Sequence, residues 1–156
     1  MSRVLVVGVG NSWRSDDAAG PAVARRLGDD PRVLVHEGEP VVLIEAWAGA
    51  DEVLLVDAVS SGAPPGTVHR LDAVTAPLPS DLARGSTHAF GLRETIELAR
   101  ALERLPARLL IYGIEGERFT AGSELSPAVE DAVDDVSREL RARLNAHDRN
   151  EPRYDS

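Results

Sequence analysis

Three side chains carry the chemistry this sequence can do: Asp17, Asp57 and His88. Asp17 is the second of two adjacent acids in VLVVGVGNSWRSDDAAG, directly after an apolar run that turns through Gly8 and Gly10. Asp57 ends the run VLLVD, and His88 sits in STHAFG, just before a helical pattern. Two carboxylates and one imidazole form a donor set for a borderline divalent metal. Three protein ligands also leave positions open for a substrate or water.

Each residue has a plainer reading. Asp17 alone serves equally as an acid on a helix dipole. Asp57 alone reads as a loop or helix cap, although a carboxylate closing so apolar a run demands a partner. A lone histidine is more often structural or exposed than a ligand. No spacing rule joins the three, so their convergence depends on the elements that carry them.

Those elements are legible. Residues 3–8 form a continuous β-branched and leucine run, as in a parallel strand buried on both faces. Ala19, Val23 and Leu27 then mark a helix face. Residues 33–37 read as a second strand, 40–50 as a helix and 53–58 as a third strand. The SSGAPPGT turn is followed by a short strand over 67–71, which so tight a connection makes antiparallel and places at an edge. Residues 72–87 read as an ordered surface loop, 91–105 as a helix, 108–114 as the last core strand and 115–125 as a polar loop. Ser126-Pro127 starts a helix as N-cap and N1, with a stripe from Val129 to Leu144. Residues 1–146 are expected to form one α/β domain and 147–156 a frayed polar tail. In a mostly parallel sheet, ligands lie beyond the carboxyl ends of the strands. Asp17 and Asp57 follow the carboxyl ends of the first and third strands, and His88, which ends the loop before a helix, can lie on the same edge.

Other chemistries are excluded. The 156 residues include no Cys, so there are no disulfides and no thiolate ligands or nucleophiles. All 17 basic residues are Arg, which removes Schiff-base chemistry and the Walker lysine. Gly8 and Gly10 open a dinucleotide fingerprint, but Trp13 stands where its third glycine belongs. A net charge of −9 disfavours nucleic acid and anionic membranes, and no window reaches the length of a membrane span. His36, His69 and His147 read as non-functional. Glu37 and Glu39 read as solvated loop acids, with lining the site or contacting a partner as the alternative, and Trp13 and Trp47 as packing residues, with a contact surface in the site loop as the alternative for Trp13.

Taken together, GVGNSWRSDDAAG, VLLVDAV, STHAFGL and YGIEG resemble the hydrogenase maturation proteases, over residues 3 to about 144. The resemblance implies a three-layer α/β/α sandwich around a five-stranded, mostly parallel sheet of order 2-1-3-5-4 with strand 4 antiparallel. It implies an aspartic-type, metal-dependent endopeptidase that removes the C-terminal peptide of a nickel–iron hydrogenase large-subunit precursor. Nickel would be supplied by the precursor and bound by Asp17, Asp57 and His88, which would also be the catalytic residues. The expected chain is a cytoplasmic monomer. An alternative with the same trio is a non-catalytic, nickel-sensing chaperone of the immature subunit. Ala18 stands where many relatives have Gly, and Glu37-Gly38-Glu39-Pro40 departs from a two-glycine run.

Overall fold

In a computed structural model, residues 3–11, 13, 15–78, 92–122 and 124–150 are described. The strands are β1 (Val4–Val9), β2 (Val33–His36), β3 (Glu52–Val59), β4 (Val68–Asp72) and β5 (Arg108–Glu115). They pair in the order β2-β1-β3-β5-β4. Every pairing is parallel except β4 with β5. The expected sandwich and its antiparallel edge strand are therefore present.

The helices are α1 (Ala19–Leu27), α2 (Pro40–Ala46), α3 (Leu92–Ala101) and α4 (Pro127–Asn150). One core lies between the sheet and α1 and α4. There Val23, Leu27, Val133, Val136 and Leu140 meet Val6, Leu54, Val56 and Ile114. The other lies under α2 and α3, where Leu43, Ile44, Trp47 and Ile96 meet Val7, Val53, Leu55 and Ile111. Both faces of the central strands are buried, which is why those strands read as unbroken apolar runs.

Two glycines make the first turn possible. A Cβ on Gly20 would lie 2.3 Å from the Val9 carbonyl oxygen and 2.6 Å from that of Val56, so α1 sits directly on β1 and β3. Gly10 has φ +148° and passes so close to the Asp17 carbonyl that a Cβ would lie 2.0 Å from its oxygen. Their task is close backbone packing rather than phosphate binding.

Several expectations change. α4 runs to Asn150, so the expected frayed tail is helical at least that far. It is tied down near its end by Asp148, which pairs with Arg32 at 2.7 Å. α2 stops at Ala46 instead of 50, and β5 extends one residue to Glu115. Trp47 packs as expected, 2% exposed, its indole N–H donating to the Arg104 carbonyl at 3.0 Å. Trp13 does not pack; it is 75% exposed.

Candidate metal-binding site at the sheet edge

β1 delivers its chain through Gly10 and Asn11 into a 3-10 turn, Ser15–Ala18, ahead of α1. Asp16 and Asp17 are both completely buried in that turn. A tight turn sends consecutive side chains in different directions, and the two acids have separate surroundings.

Asp16 faces the β5–α4 connection. Its carboxylate accepts the backbone N–H groups of Glu117 and Arg118, each at 2.8 Å, and of Ser126 at 2.7 Å. It also accepts the Ser126 hydroxyl at 2.8 Å. Burial raises its pKa, but the Ser126, Arg118 and Glu117 N–H groups and the Ser126 hydroxyl outweigh burial and hold the carboxyl below its usual range. The neighbouring backbone is braced the same way. Ser15, in a left-handed conformation at φ 49°, donates its N–H to Gly122 at 2.8 Å and its hydroxyl to the Thr120 carbonyl at 2.9 Å. The Gly122 N–H donates to the Trp13 carbonyl at 2.9 Å. The exposed Trp13 therefore stands on a backbone fixed by its neighbours.

Asp17 faces the other way. Its Oδ2 accepts the Asn11 N–H at 3.1 Å, while the Asn11 side-chain oxygen accepts the Trp13 N–H at 2.9 Å. Asn11 thus shapes the turn with its side chain and holds Asp17 with its backbone.

Asp57 lies near the carboxyl end of β3, 3% exposed, and its Oδ1 accepts the Ala58 N–H at 2.8 Å. Register pairs it with Gly113. By strand alternation it shares the face of Val53 and Leu55, under α2 and α3. Burial first, and then the negative charge of Asp17, push its carboxyl well above the ordinary value; the Ala58 N–H acts in the opposite sense. The two acids that the strand-edge rule selected are therefore close enough to repel each other.

His88 lies outside the described residues, and no group of three or more His, Cys, Asp or Glu able to hold a metal occurs among the described residues. Glu37 and Glu39 are exposed, as solvated loop acids are. The donor chemistry suits a cation. Two buried carboxylates raise each other's energy when both are charged, and a divalent ion between them offsets that repulsion.

Sequence reasoning missed Glu115. By sequence it opens a polar loop, but in the structure it closes β5 and is 1% exposed, in contact with Ser61 and His69. Its signals are its position directly after the apolar run LLIYGI and its place in the YGIEG motif.

The fold and the acid pair define an α/β/α sandwich with a carboxylate site at the carboxyl edge of its sheet. The chain belongs to the hydrogenase maturation protease (HycI) family, whose model matches residues 24–142. That stretch includes Asp57 and residue 88 and begins after Asp17. The chain is 27% identical over 151 residues to the hydrogenase 2 maturation protease of Escherichia coli K12, covering 91% of this chain and 90% of that protein. It is 28% identical over 137 residues to the hydrogenase expression/formation protein HupD of Thiocapsa roseopersicina. That match covers 83% of this chain but 62% of the longer relative. Among solved structures, the Escherichia coli hydrogenase maturating endopeptidase HybD superposes with a TM-score of 0.74 at 25% identity, covering 93% of each chain. The [NiFe] hydrogenase maturation protease HycI from Thermococcus kodakarensis KOD1 gives 0.70 at 27% identity, covering 92% of this chain and 93% of that one.

Proposed function

We propose that this chain is an endopeptidase that removes the C-terminal peptide from the large-subunit precursor of a nickel–iron hydrogenase, after nickel has entered the precursor. The observation that carries the reading is the pair of buried acids, Asp17 and Asp57, at one sheet edge, with Asp57 raised by burial and by the charge of Asp17. In a family of maturation proteases, a carboxylate pair that favours a cation suits a substrate that arrives carrying one.

Asp17 and Asp57 are the carboxylate ligands, and His88 is the proposed imidazole ligand. Nickel belongs to the precursor and serves as the sign that it is ready for trimming. A bound divalent ion supplies polarisation of a carbonyl or a lowered pKa of a coordinated water. The chain's own contribution is positional. Asn11 and the 3-10 turn orient Asp17, and the sheet register fixes Asp57 opposite Gly113. Three serines at this edge are already engaged: Ser15 donates to a carbonyl, and Ser61 and Ser126 donate to carboxylates. We take the chain to act as a cytoplasmic monomer; no helix among the described residues is long and apolar enough to cross a membrane.

The test is the mass of a purified precursor after incubation with the chain. Nickel-loaded precursor is expected to lose one C-terminal peptide, and nickel-free precursor is expected to stay intact. A stable nickel-dependent complex with no loss of mass would instead identify a chaperone.

A further inference from the structure

The site described above leaves one buried charged cluster unused. The Glu115 carboxylate accepts the Ser61 N–H at 2.9 Å on Oε2 and 3.1 Å on Oε1. Oε1 also accepts the Ser61 hydroxyl and meets His69 Nε2 at 3.1 Å. Both Ser61 and His69 thus point at the acid. This is not the order of a hydrolytic triad, in which serine donates to histidine and histidine to the acid. What the cluster achieves is the orientation of an imidazole. A carboxylate only accepts, so Nε2 is the donor of this pair, and in that tautomer of the imidazole Nδ1 is an acceptor. Glu115 is 1% exposed, while the His69 side chain keeps 23% of its surface accessible.

The cluster adjoins Asp57, one of the proposed metal ligands. Asp57 pairs with Gly113, and Gly113 pairs with His69, so the three form one row across β3, β5 and β4, on one face of the sheet. Two inter-strand spacings separate the Cα atoms of Asp57 and His69 by ~10 Å. The residue between them has no side chain. A Cβ on Gly113 would lie 3.1 Å from Val59 Cγ1 and 3.7 Å from His69 Cβ. Glu115 lies two residues beyond Gly113, so the bond to it tilts the ring toward the carboxyl edge. An extended peptide advances about 3.3 Å per residue, and ~10 Å along that edge is therefore about three residues.

We infer that His69, oriented by Glu115, is a specificity-determining residue for the precursor: its Nδ1 accepts the backbone N–H of a precursor residue about three positions from the bond held at Asp57. The inference rests on the peptidase reading given above. Glu115 is the positioning residue behind it.

Cleavage kinetics on the nickel-loaded precursor test it, with wild type, His69→Leu and His69→Asn. Glu115 keeps both Ser61 donors in the two variants, so its buried carboxylate stays partnered. His69→Leu is expected to raise KM roughly tenfold with kcat unchanged, the loss of one hydrogen bond. His69→Asn, which retains an acceptor near the Nδ1 position, is expected to recover part of that loss. Proline placed two to four residues from the cut in the precursor removes one N–H at a time. At one position it should raise KM for wild type by the same factor and add nothing to His69→Leu. A fall in kcat at constant KM, an unchanged KM, or additive effects of proline and His69→Leu would overturn the inference. A wild-type chain that cleaves no precursor would overturn the peptidase reading itself, whereas an active wild type matched by His69→Leu removes only the role of His69.

Discussion

Asp16 and Ser126 are 110 residues apart in sequence, yet the carboxylate of one takes both the N–H, at 2.7 Å, and the hydroxyl, at 2.8 Å, of the other. The contact closes the β5–α4 connection over the turn that carries Asp17. Asp16 is therefore the anchor of the acid pair, and Asp17 is the acid it presents.

Removing the anchor should be costly. Asp16→Ala leaves three backbone N–H groups and a hydroxyl without their acceptor in a buried place. A loss of about 3–4 kcal/mol is expected, at the upper end for a point substitution. Ser126→Ala should cost about 1 kcal/mol. Urea unfolding midpoints measure both; a neutral Asp16→Ala would show that the node does not hold the turn.

Asp57 is expected to trade stability for function. Its carboxyl is raised, so the folded chain holds the proton more tightly than the unfolded chain does. Stability from this group therefore falls as pH rises from the unfolded value near 4 through the higher folded value. Asp57→Asn removes the buried charge and should raise Tm at neutral pH by at least about 3 °C, the shift that ~1 kcal/mol gives in a chain of this size. The gain should shrink in acid, while precursor cleavage is lost. Melting curves across pH check the first part and product mass the second.

The grip of Arg32 on Asp30 should behave in the opposite way. The side-chain hydrogen bond from Arg32 first, opposed by burial and then helped by the Arg32 N–H and charge, lowers Asp30 to about 2. A lowered carboxyl contributes stability that is complete above its unfolded pKa and is lost as pH falls through the folded one. The contribution is at most about 2.5 kcal/mol, less what solvent screening removes. Asp30→Asn should thus destabilise the chain near pH 6 and match wild type as pH approaches about 2. Chemical unfolding at the two pH values provides the measurement.

Gly20 sets how closely α1 approaches the sheet. Gly20→Ala places a methyl group 2.3 Å from the Val9 carbonyl oxygen, so α1 must retreat. A cost of about 2–3 kcal/mol is expected, with displacement of Asp17 three residues upstream. Cleavage should fall further than the fraction of folded protein does. Parallel activity and unfolding measurements separate the two effects.

Much of this arrangement is legible in sequence for a physical reason. Strands buried on both faces must be apolar throughout, so β1, β3 and β5 stand out, and an acid ending such a run is conspicuous. The rule that ligands gather at the carboxyl edge of a parallel sheet singles out Asp17 and Asp57 as candidates. The tight SSGAPPGT turn likewise made β4 antiparallel. What stayed hidden depends on long-range register. Asp16 differs from Asp17 only through partners more than 100 residues away. Glu115 and His69 join only once β4 is paired to β5. Trp13 reads as core by residue type, but its ring is exposed while its backbone carbonyl is held by the Gly122 N–H. The length of α4 was underestimated because its last turns are polar and held by an ion pair to Arg32 rather than by an apolar stripe.

The central claim is that Asp17 and Asp57, with His88, meet the precursor's nickel. Its most direct test is the rate of C-terminal mass loss from nickel-loaded precursor with wild type, Asp17→Asn, Asp57→Asn and His88→Ala, each shown to be folded. Each substitution removes a proposed ligand, and a drop of at least about 100-fold in rate is predicted for all three variants. Trimming at the wild-type rate by Asp17→Asn, Asp57→Asn or His88→Ala would contradict the account.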